Sequence, residues 1–275
     1  MKSIKDALAH RFGDFDHTVD PRIAEQPFLQ GLASRGVCRR FRDEPVPAAL
    51  TETLAALALS APTKSDLQQR DILIVDDPAI RGRIDTLLAD QDWIPKAPHF
   101  IVFLGNNRRQ RQIHAWTGVP FANDHLDAFF NASVDAGIVL SAFVLAAEAA
   151  GLGCCPVSVI RNHAEEVSGL LGLPDHVFPV AGLGFGWPAA APHISARLPL
   201  AATVHRNRYT DTARDVVAGY DRRRNGIFPY RQQRNVARFG TSPTYGWSED
   251  KARQYAEPER ADFGKFVNAR GFKLT

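Results

Sequence analysis

The sequence predicts a layered α+β or α/β protein in which helices outnumber strands. Three observations carry that expectation. Short apolar runs at residues 71–75, 100–104, 154–159 and 177–188 read as strands. Between them lie segments whose apolar residues recur at helical spacing, above all 50–59 and 131–150. Of the 275 residues, 45% are hydrophobic and 23% charged, an ordinary globular balance that can fill a core.

Residues 1–33 carry a helical pattern in two pieces, broken at Pro21, and Leu29 and Leu32 begin the helix that delivers Arg35. Leu50, Leu54, Leu57 and Ala58 place the next helix, which ends at Ala61-Pro62 because the residue before proline avoids helical geometry. Asp71–Val75 reads as a strand, and Asp77-Pro78 opens a helix running to Leu88 with proline in its first turn. Phe100–Leu104 is unbroken in its apolarity, so it predicts a strand buried on both faces. Residues 106–111 read as a polar turn and 110–127, with Trp116 and Phe121, as an irregular lid. Asn131–Ala150 is small and apolar all round, the mark of a central helix or a subunit interface. Gly151 to Gly153 cap it. After the strand at 154–159, Asn162 and Glu165 have the spacing of a capping box for a helix to Leu171. Val177–Pro188 is a glycine-interrupted strand. Trp187-Pro188 stands where a nucleotide-binding helix would open, so its glycines indicate close strand packing rather than a phosphate loop. Beyond Tyr209 the chain reads as helical and polar.

Net charge is +3, unevenly spread: residues 205–275 hold fifteen Lys and Arg against eight Asp and Glu. A basic arm of this kind can meet nucleic acid, an acidic partner or a phosphorylated cofactor, and most of its arginines also suit a solvated helix face. The longest apolar run, Ile138–Ala147, is too short to span a bilayer, and no apolar leader follows Met1, so no membrane association is expected. Cys38, Cys154 and Cys155 form no CxxC pair and fit a reducing, cytoplasmic setting. The nine histidines show no HExxH pairing and no Gly-x-Ser-x-Gly elbow occurs, so neither a metal nor a covalent nucleophile is expected, and no side chain is singled out as catalytic.

Arg35, Arg39 and Arg40 fall within one seven-residue stretch, and Thr63-Lys64-Ser65 forms a hydroxyl-bearing turn downstream. Guanidinium forks suit a phosphate. On a helix Arg35 and Arg39 would share a face, and taken alone the cluster reads equally well as a solvated basic helix end. Further on, Gly186-Trp187-Pro188 is followed by Arg197-Leu198-Pro199. Together, in this order, these motifs resemble the FMN-dependent nitroreductase family, in its larger NADPH-preferring branch. That branch carries Gly-Trp-Pro and then basic-Pro-Arg-Leu-Pro, and Ser195 and Ala196 replace the basic residue and proline here.

The resemblance implies an α+β, nitroreductase-like fold: a central, mostly antiparallel sheet flanked by helices, in an intertwined homodimer with an extended C-terminal arm. It divides the chain into an N-terminal helical extension (1–29), an FMN-binding domain (30–209) and the basic arm (210–275). It places Arg35, Arg39 and Arg197 on the FMN phosphate and Thr63 and Ser65 against the flavin from the second subunit. Gln91 would touch the ring, Pro156, Val157 and Ser158 would line it by backbone, and Arg161 would donate to flavin or substrate or brace the helix at Asn162. Gly36 and Val37 depart from the family, which has a second arginine and a hydroxyl there; Gly36 can offer only backbone. The implied activity is ping-pong hydride transfer from NADPH or NADH to a small electron-poor acceptor such as a nitroaromatic or quinone. Arg206, Arg208, Arg231, Arg234 and Arg238 are candidates for the dinucleotide phosphate. Flavin reduction, reductive dehalogenation or oxidative chemistry on the same fold are the alternatives. A non-enzymatic nucleic-acid binder using the basic arm is a reading of another class, but the arm lacks a dense Lys/Arg run or an RNP-like aromatic pattern, so nucleic acid is not an expected partner.

Overall fold

The computed structural model describes residues 3–275 and divides into two compact units, one built from the chain up to Gly36 together with His193–Glu259, the other from Val37–Pro192 with Arg260–Thr275. The chain begins with α1 (Ile4–Phe12), capped by Ser3, whose hydroxyl accepts from the Asp6 N–H, and closed by Gly13 in the left-handed region. α2 (Pro21–Ala24) and α3 (Pro27–Ser34) follow. The expected break at Pro21 is in fact a helix start, and Pro27 starts a third piece. A first-turn proline forfeits no hydrogen bond and presets φ for the helix.

The second unit opens with α4 (Ala48–Leu59) and continues through β1 (Arg70–Ile74), α5 (Pro78–Leu87) and β2 (His99–Asn106). Then come α6 (Arg108–Thr117), α7 (Leu126–Ala149), β3 (Gly153–Val157), α8 (Ala164–Leu170) and β4 (Val177–Gly186). The described strands make one antiparallel sheet in the order β1-β2-β4-β3, with a register shift at Phe103/Leu104. The predicted α+β class with an antiparallel sheet is what folds.

β2 shows why an unbroken apolar strand is needed here. Phe100, Val102 and Leu104 pack with Ile84 of α5, Leu88 just after it and Val167 of α8, while Ile101 and Phe103 pack with Leu54, Val139 and Phe143 from α4 and α7. Alternate side chains thus enter opposite cores, and each large one contributes roughly 1.5–3 kcal/mol by leaving water. The glycines of β4 are packing residues: a Cβ on Gly182 would stand 2.4 Å from the Phe100 ring. By length and composition α7 could cross a membrane, but Val139, Phe143, Val144 and Ala147 sit in the core against the sheet.

Two expectations are corrected. Residues 108–117 are a helix, not part of an irregular lid, and the chain leaves it at Gly118 in the left-handed region. Phe121 is not poised over anything open: Arg111 lies 4.6 Å above its ring and His114 5.2 Å away. Asn162 caps no helix. α8 starts at Ala164 after His163, which makes no side-chain cap, and Asn162 accepts from Arg260 instead.

The first unit resumes with α9 (Arg214–Ile227), α10 (Val236–Phe239) and α11 (Trp247–Tyr255), and α12 (Phe263–Ala269) closes the second unit by packing Phe266 and Val267 with Phe178 and Phe272.

Candidate functional site

In the first unit, α3 ends where Arg35 leaves helical geometry, with φ −59° and ψ 150°. Residues 35–40 lie in no helix, so Arg35 and Arg39 do not share a helix face as the spacing suggested. Gly36 is buried. A Cβ there would stand 2.2 Å from the His193 carbonyl oxygen, a backbone atom that cannot swing aside. The departure at this position is therefore enforced by packing. Gly36→Ala is expected to destabilise the protein by about 1–3 kcal/mol, the usual cost of overpacking, read by chemical denaturation; wild-type stability would show that the 193 segment yields freely.

Arg11, which the sequence reading passed over, joins the two arginine-bearing segments of this unit. Buried, it donates from Nη2 to the carbonyls of Ala33 (3.1 Å) and Arg35 (2.6 Å) and from Nη1 to Ser195 (3.2 Å). The Arg197 N–H returns a bond to the Arg11 carbonyl at 2.7 Å. Tyr220 donates to the Ala196 carbonyl and Arg223 to that of Arg197. Arg197 itself is exposed, and its Nη1 donates to Ser195 Oγ at 2.6 Å. Arg35 and Arg197 both line a cavity of about 890 Å³ whose lining residues include no carboxylate.

The second unit holds the other candidates in two groups. Arg39 is exposed with its guanidinium 6.0 Å from the Trp93 ring centroid, two residues after Gln91 in an exposed turn. Cys155 of β3 lies beside it: burial pushes that thiol up, and the Arg39 guanidinium pulls against the shift. Pro156 and Val157 follow on the strand, paired with Leu183 and Gly182, and Ser158 is exposed just beyond. Arg161 uses Nη1 on the Val180 carbonyl of β4, so what it braces is the sheet, not the helix after Asn162. Burial, with Arg260 nearby, pushes its guanidinium below the ordinary value.

Thr63 and Ser65 form the second group, on a turn held from below by a fully buried carboxylate, Asp135 of α7. Asp135 accepts from Thr63 Oγ1 (2.5 Å), the Lys64 N–H (3.1 Å) and the Gln69 N–H (3.0 Å). Ser65, Asp66 and Gln68 all have left-handed φ, of 49°, 57° and 52°. Non-glycine residues pay about 1–3 kcal/mol each for this, and such strain persists only where the surroundings over-determine it. The start of α6 adds to the grip: Asn107 donates to Gln69 Oε1, Arg109 to the Gln68 carbonyl and Gln110 to that of Leu67. A signal for Asp135 was present in the sequence, as an acid in the middle of a small apolar helix.

Several of the C-terminal arginines are paired inside their own unit. Arg234 pairs with Asp250 (3.2 Å), Arg238 with Glu257 (2.5 Å) and Arg253 with Glu249 (2.5 Å). Nothing here supports the nucleic-acid reading.

Comparison with known proteins decides the family. Residues 32–187 match the model described as Nitroreductase family, and 195–275 that described as Nitroreductase family, C-terminal domain. The chain belongs to the nitroreductase family. It is 30% identical to an FMN reductase (NADPH) of Bacillus subtilis over 249 residues, covering 89% of this chain and 97% of the relative. It is 35% identical to an oxygen-insensitive NADPH nitroreductase of Salmonella typhimurium over 195 residues, covering 71% and 80%. Among solved structures, that of NfrA2 from B. megaterium superposes with a TM-score of 0.81 at 28% identity, covering 90% of this chain and 98% of that one. The nitroreductase family resemblance read from Gly186-Trp187-Pro188 and Arg197-Leu198-Pro199 is thereby established.

Proposed function

We propose that this nitroreductase-family chain is an FMN-dependent NAD(P)H oxidoreductase that passes a hydride to small electron-poor acceptors such as nitroaromatics or quinones. Relatives named as NADPH-dependent FMN reductase and nitroreductase support that chemistry. The structural observation that carries it is the pair Arg35 and Arg197, far apart in sequence, lining one cavity free of carboxylates.

The residues fit the cofactor. On this reading Arg35 and Arg197 hold the phosphate by charge-assisted hydrogen bonds, and Gly36 keeps the backbone clear of it. Arg39, Gln91, Pro156, Val157 and Ser158 line the ring, with Arg161 contributing the N–H groups not used on Val180. Thr63 and Ser65 face the flavin of the partner copy. Bound FMN supplies a ring that accepts and returns a hydride, leaving the protein to bind, orient and exclude water. Residues 30–209 form the flavin-binding stretch and 210–275 an arm. Of the candidates for the dinucleotide phosphate, Arg206, Arg208 and Arg231 are favoured, since Arg234 and Arg238 are paired with carboxylates. A homodimer is favoured by the exposed stripe Leu126, Phe130 and Val134 along α7, with Leu57 of α4 also exposed. Cys38, Cys154 and Cys155 are in no disulfide, which suits a cytoplasmic setting.

Purified protein should show flavin absorbance. Arg35→Ala and Arg197→Ala should each weaken FMN retention by roughly 10-fold or more, the worth of a hydrogen bond to a charged group; wild-type retention in both would refute the phosphate assignment. Sedimentation as a monomer with full flavin content would remove the dimer. NADPH consumption across nitroaromatics, quinones and free flavins then names the acceptor class.

A further inference from the structure

Residues 88–98 join α5 to β2 without helix or strand. The segment is a run of tight turns. The Gln91 N–H donates to the Leu88 carbonyl (2.9 Å), Ile94 to Gln91 (2.9 Å), Lys96 to Trp93 (3.1 Å) and Ala97 to Ile94 (3.0 Å). Bonds of this span have poorer geometry than those of an α-helix, so the shape depends on what grips the segment from outside. Its inner side is seated on the sheet: Trp93, Ile94 and Ala97 are buried. A Cβ on Gly184 of β4 would stand 2.8 Å from the Trp93 ring and 3.0 Å from the Ala97 methyl. Its outer side carries Gln91, which is exposed.

The grip on the far end comes from Arg81 of α5. Its side chain is largely buried, with the guanidinium 5.6 Å from the Phe100 ring centroid. Nη2 donates to the carbonyls of Ile94 and Ala97, both at 2.8 Å, while Nε donates to Asp85 at 2.9 Å. Ile94 in turn holds the Gln91 carbonyl through its own N–H. The line of hydrogen bonds from Arg81 therefore ends on the Gln91 backbone. We propose that Arg81 is a positioning residue for the flavin ring, fixing where the Gln91 side chain stands without touching the cofactor. This rests on the reading above that Gln91 lines the ring. A planar guanidinium suits the task, since one rigid fork serves a carboxylate and two carbonyls at set angles, whereas a lysine ammonium is a point donor on a flexible stem.

The test is a double-mutant cycle on the flavin-loaded protein, reading the FMN dissociation constant by fluorescence and the visible flavin band. Arg81→Met and Gln91→Ala should each weaken FMN roughly 10-fold and move the band. The double variant should stay within about twofold of Gln91→Ala alone, because a residue that works through Gln91 then has nothing left to position. Arg81→Lys should fall between wild type and Arg81→Met. Asp85→Asn removes the ion pair and leaves both carbonyl bonds, so its FMN affinity should stay within about twofold of wild type. Should Arg81→Met fail to fold, Arg81→Lys with and without Gln91→Ala reads the same coupling. Losses that multiply in the double variant, or full affinity in the Arg81 variants, would overturn the proposal and leave Gln91 on the ring. Wild-type affinity in Gln91→Ala would take Gln91 off the ring, overturning that reading and this proposal together.

Discussion

Replacing Asp135 by alanine should lower the thermal midpoint by roughly 6 °C or more and strip the protein of flavin. The carboxylate is fully buried and accepts three hydrogen bonds from the 63–69 turn. Its removal orphans the Gln69 N–H, which is buried, and unties the Thr63 hydroxyl and the Lys64 N–H. Each unsatisfied buried group costs about 1–3 kcal/mol, so about 3 kcal/mol is a reasonable sum, and each kcal/mol shifts the midpoint of a domain this size by about 2–4 °C. The turn also loses the anchor that opposes three left-handed residues, so Thr63 and Ser65, proposed to face a flavin, should be displaced. Asp135→Asn sharpens the test. It keeps the shape but turns an NH₂ group toward at least one N–H donor, so it should fall between wild type and alanine. Calorimetry and the visible spectrum read both effects; full flavin content in Asp135→Ala would detach this turn from the cofactor site.

Arg11→Met should cost about 3 kcal/mol and weaken FMN retention although neither arginine proposed for the phosphate is touched. Methionine replaces the apolar stem but leaves the Ala33, Arg35 and Ser195 carbonyls without their shared donor. Those carbonyls fix where the Arg35 and Arg197 backbones lie. Flavin titration against urea denaturation separates the two effects. Lower stability with unaltered flavin affinity would reduce Arg11 to a purely structural part. Loss of affinity in conditions where the variant remains folded makes it a positioning residue.

Legibility followed the source of each element's stability. β2 could be read because Phe100–Leu104 faces two cores and so carries no polar residue. α7 could be read because its small apolar residues pack at helical spacing against the sheet, although it begins five residues before the predicted Asn131. α6 was hidden: Arg108 to Gln112 are good helix formers with no apolar period, and two of them, Arg109 and Gln110, clamp the 67–68 backbone through long side chains. The capping box at Asn162 failed because a short 3-10 stretch, Val159–His163, occupies the place of the helix start.

Through periodicity the sequence by itself determined a layered α+β or α/β chain, and through short motifs such as Gly186-Trp187-Pro188 it determined the family, whose resemblance implied the antiparallel sheet and the candidate phosphate arginines. Only the tertiary structure decided that Arg35 and Arg197 line one cavity, that Gly36 has no room for a side chain, and that Asp135 and Arg11 hold the turns on which the candidate residues sit. The physical reason is that these are backbone hydrogen bonds and van der Waals contacts between segments up to 184 residues apart. No local spacing encodes them, and burial alone makes each of them strong.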